Sequence, residues 1–293
     1  MCLYPRLVWY DGERIVWVPP KEDNLGAGVY LSKWKQIRIK CGKCVECLKA
    51  RADEWTVRIM DELKQHDETI MLTLTYRNNP ESLVKRDLQL FVKRLRKYLE
   101  PRKIRYFACG EYGDKGGRPH FHICLFGWRP PDLERFFYND GWIYKSEICE
   151  RIWQHGFVTA VEVTPATARY VVNYMQKLDG RPHEVKPFVC MSTRPGIGYN
   201  VIKDLTYSIY KTGKVYVSGM ERNAPRYYLK VLERDGVVVD HIVEQRIRVG
   251  KLKERDWKEL HELAKIKKKQ FGVSISPKVS KDYKLKRRRR PQF

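Results

Sequence analysis

Apolar residues recur at two different spacings in the first third of the chain, and each spacing predicts a different element. Over residues 46–65 they return every three or four positions, which predicts an amphipathic helix. The run TIMLTLTY at 69–76 is apolar and rich in β-branched residues, so we expect a buried strand there. The helical spacing returns over 84–99, where the polar positions are mostly basic.

A β-hairpin is predicted after this second helix. Residues 104–112 and 119–126 have the character of strands, and the glycine-rich segment 113–117 between them predicts the turn. Residues 157–163 alternate as a further strand. A hydroxyl and a proline at 164–165 then predict the start of another helix, because a hydroxyl caps the free amides and proline fits the first helical position.

The order of these elements predicts an α+β fold with a central antiparallel sheet flanked by helices. Farther along, residues 207–217 predict a hairpin with Thr212 and Gly213 at its tip, and residues 251–269 predict a Lys-rich helix. The predicted organisation has four parts: an N-terminal arm and helix with a cysteine cluster at 1–66, a core at 67–180, a C-terminal extension packed on that core at 181–277, and a basic tail at 278–293.

The charge balance of the chain indicates a polyanionic partner. Of its 293 residues 43% are hydrophobic, which excludes a disordered chain, and the formal net charge is +23. Nucleic acid is the first candidate and an anionic membrane surface the second. No run approaches the roughly 20 consecutive apolar residues of a membrane span, and the N-terminus lacks the apolar core of a signal peptide. We therefore expect a cytosolic protein without a membrane partner.

Two histidines and a glutamate form a candidate metal site on the predicted hairpin. His120 and His122 lie two residues apart in a strand, so both imidazoles point to one face, while Phe121, Ile123 and Leu125 point to the core. Glu111 ends the preceding strand, where its carboxylate can complete a triad with open positions for water or phosphate. Such ligands suit Mn²⁺ or Mg²⁺ in a phosphodiester enzyme. The alternative is a pair of structural histidines.

Two tyrosines are candidate nucleophiles. Tyr170 and Tyr174 are one helical turn apart, and with Lys177 they fall on one side of the predicted helix, away from its apolar face. A phenol with a pKa near 10 is a poor nucleophile unless a metal activates its target or a cation lowers its pKa. Lys177 is the candidate cation, or the group that protonates a leaving oxygen. The alternative is that the tyrosines only cover an amphipathic helix.

The cysteine cluster and the basic residues are further candidate sites. Cys41, Cys44 and Cys47 have the spacing of a metal knuckle, but no nearby Cys or His supplies a fourth ligand, so zinc and buried reduced thiols both stay open. The basic candidates for DNA binding are Lys93, Arg94, Arg96 and Lys97 on the second helix, Arg118 beside the histidines, and Arg287, Arg288, Arg289 and Arg290 in the tail.

These motifs resemble those of the HUH endonucleases, and more closely the replication initiation proteins of the Microviridae, especially the gokushovirus branch. The segments TLTY at 73–76, RPHFHICLFG at 118–127 and YVVNYMQK at 170–177 are similar to the three rolling-circle motifs of that family. CGKC, WQHGFV and RPGIGY are also similar. Asn173 and Leu178 depart from the family pattern, in which lysines are common, so that Lys177 is the only helix lysine within reach.

The resemblance implies a rolling-circle initiator of the HUH or Rep type, with a ferredoxin-like variant of the fold and a divalent metal, Mg²⁺ or Mn²⁺. Such a protein nicks the replicative-form origin, keeps the 5′ end as a phosphotyrosine and leaves a 3′-hydroxyl for a host polymerase. Its second tyrosine attacks the regenerated origin and releases a circle. The implied partners are single-stranded DNA, replicative-form DNA, a host helicase and a host polymerase, in the cytoplasm of a bacterial host.

Three other functions fit part of the pattern. A conjugative relaxase or plasmid-type nickase would share the tyrosine pair. A non-enzymatic binder of single-stranded nucleic acid would explain the charge and the aromatic content but not the triad. A two-histidine, one-carboxylate iron oxygenase would explain the triad, although such enzymes usually place the acid after the histidines, but it would not explain the charge of +23.

Overall fold

The computed structural model describes eight ranges of the chain: residues 6–10, 15–17, 35–42, 45–113, 117–138, 141–174, 185–239 and 241–242. The predicted Lys-rich helix at 251–269 and the basic tail at 278–293 lie outside these described residues. The chain divides into two compact units, Met1–Arg51 and Ala52–Phe293, each described by itself. No helix among the described residues is both long enough and apolar enough to cross a bilayer.

The first unit contains a small antiparallel sheet. Its strands are β1 (Arg6–Tyr10), β2 (Ile15–Val16) and β3 (Lys35–Ile39), in the order β2-β1-β3. Helix α1 (Val45–Leu63) starts in this unit, and the residues of α1 from Ala52 onward belong to the second unit.

The second unit is built on a seven-stranded antiparallel sheet. Its strands are β4 (Thr69–Tyr76), β5 (Arg105–Tyr112), β6 (Pro119–Phe126), β7 (Glu134–Tyr138), β8 (Gly141–Lys145), β9 (Gly156–Val161) and β10 (Phe188–Met191). They lie in the order β10-β5-β6-β4-β9-β8-β7. The predicted α+β class with a central antiparallel sheet is therefore confirmed, and β6 and β4 lie at its centre.

Five more helices and a small hairpin complete the described part of this unit. They are α2 (Lys85–Leu99), α3 (Glu147–Trp153), α4 (Pro165–Tyr174), α5 (Ile202–Thr212) and α6 (Arg226–Arg234), with strands β11 (Lys214–Val217) and β12 (Met220–Asn223). The predicted strand at 69–76 and the predicted returning strand at 119–126 have the bounds expected from the sequence. Strands β7 and β8 were not predicted.

Strand alternation gives the sheet two different apolar faces. On one, Phe121, Ile123 and Leu125 pack with residues of α2 and α3, as predicted for the core, and we call this the α2 face. The other carries His120 and His122, and we call it the histidine face. Its far end is also core, because Cys124 and Phe126 pack there with α4 and with the part of α1 from Ala52 onward. Helices α5 and α6 extend the same cluster.

The predicted hairpin at 207–217 is wrong. Its first half belongs to helix α5, which buries Ile202 and Ile209 at helical spacing in the cluster on the histidine face. Gly213 then ends the helix in the left-handed region, with φ at 67°, and its amide donates to the Ile209 carbonyl. Only Lys214–Val217 forms a strand, and its partner is Met220–Asn223.

A buried carboxylate ties the far end of α1 to the sheet. Glu62 is 1% exposed and accepts from the guanidinium of Arg105 on β5 and from the amide of Gly198, 2.7 Å away. His66 lies 3.2 Å from the same carboxylate. The bonds replace the water that burial removes from this charge.

We predict that Glu62→Ala destabilises the protein by about 3–5 kcal/mol, because it leaves the partly buried Arg105 without its counter-charge. The measurement is the free energy of unfolding in urea. Glu68→Ala is the matched control, since the Arg102–Glu68 pair is about half exposed on both sides and should contribute less than about 1 kcal/mol. Equal losses in the two variants would contradict the prediction.

Candidate functional site

The register of β5 and β6 brings the three candidate metal ligands together. Glu111 lies directly opposite His120, and Cys109 lies opposite His122, two residues along the same ladder. Residues two apart on a strand share a face, so all three polar side chains are on the histidine face. The hairpin predicted from the sequence thus positions the triad by backbone pairing alone.

The triad is compact and mostly buried. The Nε2 atom of His120 lies 2.6 Å from Oε1 of Glu111, and Nε2 of His122 lies 3.3 Å from the same oxygen. One ligand atom from each residue falls within 4.8 Å of the other two. Glu111 and His122 are buried, whereas His120 is half-buried, so the site is reached from the side of His120.

Both imidazoles are oriented through their second ring nitrogen. Nδ1 of His120 lies 3.0 Å from the carbonyl oxygen of Arg118, which can only accept, so this nitrogen carries the proton. Nδ1 of His122 lies 3.0 Å from the hydroxyl of Thr73 on β4. Such outer contacts fix the tautomer and leave Nε2 with its lone pair for a ligand.

The donor set fits a divalent cation. A neutral His120 with its proton on Nδ1 presents a lone pair to the Glu111 carboxylate, so a cation or a shared proton has to lie between them. Burial acts to raise the pKa of Glu111, but the hydrogen bonds from the two histidines outweigh it and hold that pKa below its ordinary value. Its second oxygen, Oε2, is buried without a hydrogen-bond partner among the described residues. The group Glu111, His120 and His122 could therefore hold a metal ion with two nitrogen ligands and one oxygen ligand.

Helix α4 brings a tyrosine to the triad. The Thr164 hydroxyl caps α4 as predicted, accepting from the Thr167 amide at 3.1 Å. Val171 is buried on the histidine face, which aims Tyr170 along the sheet toward the histidines. The ring centroids of Tyr170 and His122 are 5.5 Å apart and the rings are perpendicular. Tyr170 is 47% exposed, so its hydroxyl lies at the border between triad and solvent.

The other two candidates on this helix are less fully described. Tyr174 is the last residue of α4, one turn beyond Tyr170, and its side chain lies outside the described part of the structure. Lys177 lies outside the described residues altogether. The roles of both stay predictions.

Comparison with known proteins identifies the family. A family model of replication-associated proteins of the ORF2 type matches residues 69–179. The replication-associated protein ORF2 of Spiroplasma virus 4 is 32% identical over 246 residues, which cover 73% of this chain and 74% of that protein. The chain belongs to the family of phage replication-associated proteins. The resemblance to Microviridae initiators, based on three motifs, is thereby confirmed at the level of the family.

Two further members of the replication-associated family match over shorter shares of their length. The replication-associated protein VP4 of Bdellovibrio phage phiMH2K is 32% identical over 205 residues, 64% of this chain and 65% of the relative. The replication-associated protein ORF4 of Chlamydia phage 1 is 29% identical over 226 residues, 71% of this chain and 56% of the relative. The chain thus spans between about half and two thirds of these two proteins. No solved structure matches the chain significantly.

The structure does not bring the basic residues of α2 to the triad. This helix packs on the α2 face, so its outward side chains lie on the opposite side of the sheet from the histidines. Lys93, Arg96 and Lys97 are exposed, and Arg94 is within 3.5 Å of the Ile152 carbonyl. A contact between this patch and DNA stays a prediction, at a surface separate from the triad. The four tail arginines lie outside the described residues.

Arg118 lies beside the triad but is engaged with the backbone. Its guanidinium donates to the carbonyl oxygens of Tyr76 and Arg77 at the end of β4, the second at 2.9 Å. These bonds join the histidine strand to the end of its neighbour. The predicted role of Arg118 in DNA binding stays untested, and the structure adds a positioning role that the sequence did not indicate.

Sequence reasoning also missed Thr73 as the partner of His122. The residue stands in the TLTY motif, and the register Thr73↔His122 places it directly across from the histidine. The signal in the sequence was the threonine at every second position of an otherwise apolar strand, 73 and 75, which puts hydroxyls on one face. Only the pairing of β4 with β6 shows which residue those hydroxyls meet.

The cysteine cluster is partly described. The Sγ atoms of Cys41 and Cys47 are 4.0 Å apart, and Cys44 lies outside the described residues. Two thiolates on one tetrahedral zinc, at about 2.3 Å each, are separated by about 3.8 Å. The spacing is compatible with a shared zinc, and zinc binding here stays a prediction.

We predict that Mn²⁺ stabilises the wild-type protein and that His122→Ala abolishes this effect, because the variant lacks a ligand that both Thr73 and the strand register hold in place. At free Mn²⁺ about 100 times its dissociation constant, the stabilisation should be about 2.7 kcal/mol. The measurement is the free energy of unfolding in urea with and without Mn²⁺.

Glu111→Ala and His120→Ala should behave in the same way as His122→Ala. The control is His155→Ala, since His155 contacts Tyr76 and Trp153 on the α2 face and is no member of the triad. Full stabilisation of all three triad variants by Mn²⁺ would show that the metal binds elsewhere.

Proposed function

We propose that this protein initiates rolling-circle replication by nicking and rejoining single-stranded DNA at a phage origin through a 5′-phosphotyrosine intermediate. The observation that supports this most directly is the perpendicular contact of Tyr170 with His122, which places a half-exposed phenol beside a possible metal-ion site. The curated relatives carry the name of replication-associated proteins, which agrees with a role in DNA replication.

The triad would act on the phosphate. A divalent ion held by Glu111, His120 and His122, for which Mg²⁺ and Mn²⁺ are our candidates, would polarise the scissile phosphate and neutralise the charge that develops on it. The residues prepare the site in advance: the lowered pKa of Glu111 keeps it ionised at neutral pH, and Arg118 and Thr73 hold the imidazoles in one tautomer. Half-buried His120 leaves an approach for a DNA strand.

The chemical step is a transesterification. The Tyr170 oxygen attacks the phosphorus, the bond from phosphorus to the 3′-oxygen breaks, and the phenol proton is transferred overall to that oxygen. One phosphodiester is exchanged for another, so the step is reversible and needs no external energy source. Tyr174 would repeat the attack on a regenerated origin, and Lys177 is our candidate for the cation that assists proton transfer.

The charge of the chain supports a DNA substrate. A net charge of +23 favours binding to the phosphate backbone and makes affinity dependent on salt. We propose single-stranded DNA and the origin of the replicative form as ligands, and a host helicase and a host polymerase as partners that extend the 3′-hydroxyl. The non-enzymatic DNA-binding alternative predicts the same affinity without cleavage.

We predict that Tyr170→Phe and Tyr174→Phe each keep some covalent attachment to a nicked oligonucleotide, whereas the double variant keeps none, because either phenol can lie in line with the scissile bond but only one at a time. Both single variants should fail at strand transfer coupled to reloading, which needs a second nucleophile. The assay uses the supercoiled circular genome with Mn²⁺ and scores open circles and protein-linked DNA.

The control for the tyrosine variants is Tyr138→Phe, an exposed tyrosine on the edge strand β7. Peptide mapping of the covalent product identifies the linked residue. A linked residue outside 170–174 would refute the assignment, and binding without any nicking by the wild-type protein would favour the non-enzymatic alternative.

We predict that deleting residues 278–293 flattens the dependence of log affinity on log salt, because the deleted tail carries four consecutive arginines that can each neutralise a phosphate. Cleavage of a short single-stranded oligonucleotide should persist, since the triad and Tyr170 remain. The slope is measured by titrating DNA at several salt concentrations. An unchanged slope would show that the tail does not contact DNA.

A further inference from the structure

A row of side chains on the histidine face leads away from the triad. Glu111 pairs with His120, His120 pairs with Thr75, and Thr75 pairs with Phe157, across four neighbouring strands. Directly paired residues share a face, so Phe157 on β9 points to the same side as the histidines. At about 4.8 Å per strand, β9 is about 10 Å from the strand that carries His120.

Phe157 is exposed although its strand lies inside the sheet. Its side chain is 47% exposed, whereas Val158 and Ala160 on the other face of β9 are buried in the core. Its surroundings on the histidine face are the half-buried hydroxyl residues Thr75 and Thr159. A single exposed apolar side chain is common on protein surfaces and would by itself indicate nothing.

The second observation is a cation over this ring. The guanidinium carbon of Arg77 lies 5.2 Å from the Phe157 ring centroid. The backbone of Arg77 is fixed from both sides: its amide donates to the His155 carbonyl at 2.8 Å, and its carbonyl accepts from Arg118 at 2.9 Å. An aromatic platform and a cation are therefore held together in the same row as the triad.

We propose that Phe157 and Arg77 form a nucleotide subsite for the DNA strand that enters the triad, in which an unpaired base stacks on the Phe157 ring and Arg77 binds a backbone phosphate. This inference rests on the proposed function, because it takes the ligand to be single-stranded DNA. Stacking on an aromatic side chain together with a basic group is how proteins bind single strands without strong sequence preference.

The distance fits this assignment. About 10 Å between the strands of His120 and Phe157 corresponds to a few nucleotides, at about 3.4 Å per nucleotide of a stacked strand. The base at Phe157 would therefore be a near neighbour of the scissile phosphate. Holding that base fixes where the strand crosses the triad, so Phe157 is a positioning residue and takes no part in the bond changes.

Equilibrium binding in EDTA, where no nicking can occur, tests the subsite. The probe is a fluorescently labelled oligodeoxythymidine, measured by anisotropy. Loss of one base stack should weaken binding by about 5- to 160-fold, so Phe157→Ala and Phe157→Leu should both show this loss and Phe157→Tyr should not. Arg77→Ala should lower the salt slope by about one phosphate contact.

The matched control is Phe137→Ala, a similarly exposed phenylalanine on the edge strand β7, which should leave affinity unchanged. Phe157→Leu keeps an apolar side chain but cannot stack, and retained stabilisation by Mn²⁺ shows that a variant is folded. Photocrosslinking of a 5-iododeoxyuridine probe, followed by peptide mapping, should locate the base at Phe157.

Wild-type affinity in folded Phe157→Ala and Phe157→Leu, or crosslinks only at other peptides, would overturn the subsite. These outcomes are separate from a failure of the proposed function, because nicking is absent from the binding assay. A crosslink at Phe157 in a protein that never nicks DNA would leave the subsite standing and remove the nuclease. Nicking with no contribution from Phe157 would do the reverse.

Discussion

The pairing of β5 with β6 is the constraint on which the candidate site depends. Backbone hydrogen bonds hold Glu111 opposite His120, and strand alternation adds His122 on the same face. A slip of one residue would turn both histidines toward the α2 face and Phe121 toward the site. The core prevents that slip, because Phe121, Ile123 and Leu125 are completely buried against the helices of the α2 face. Apolar burial on one side of β6 thus fixes the polar ligands on the other.

The neighbouring strand and helices complete what this pairing begins. Strand β4 supplies Thr73 to one imidazole and, through its terminal carbonyls, binds Arg118 beside the other. Helix α4 packs on the same face and presents Tyr170 to His122. Each contact uses an element that is itself anchored in the core. A site supported in this way keeps its geometry without relying on loops, as positioning of a reactive phosphate requires.

The two faces of the sheet have different tasks. The histidine face carries the triad, Tyr170 and the exposed Phe157, while the α2 face carries the basic helix. The exposed cations of α2 are therefore separated from the triad by the thickness of the sheet, although they are close to it in sequence. DNA that contacts both would have to pass around an edge of the sheet. The cation in the same row as the triad is instead Arg77, which the sequence did not single out.

The sequence by itself determined the local elements and the identity of the ligands. Period-two alternation in 119–126 and the position of Glu111 were enough to predict the triad, because hairpin pairing is local and short. The boundary at 207–217 failed because the Thr-Gly pair that marks a turn also ends a helix, and only burial of Ile202 and Ile209 distinguishes the two. Which face each helix covers, which hydroxyl meets His122 and which aromatic lies in line with the triad were decided by the tertiary structure. These relations join residues far apart in the chain, such as Thr73 with His122 and Thr75 with Phe157, and depend on the strand order β6-β4-β9, which no local pattern contains.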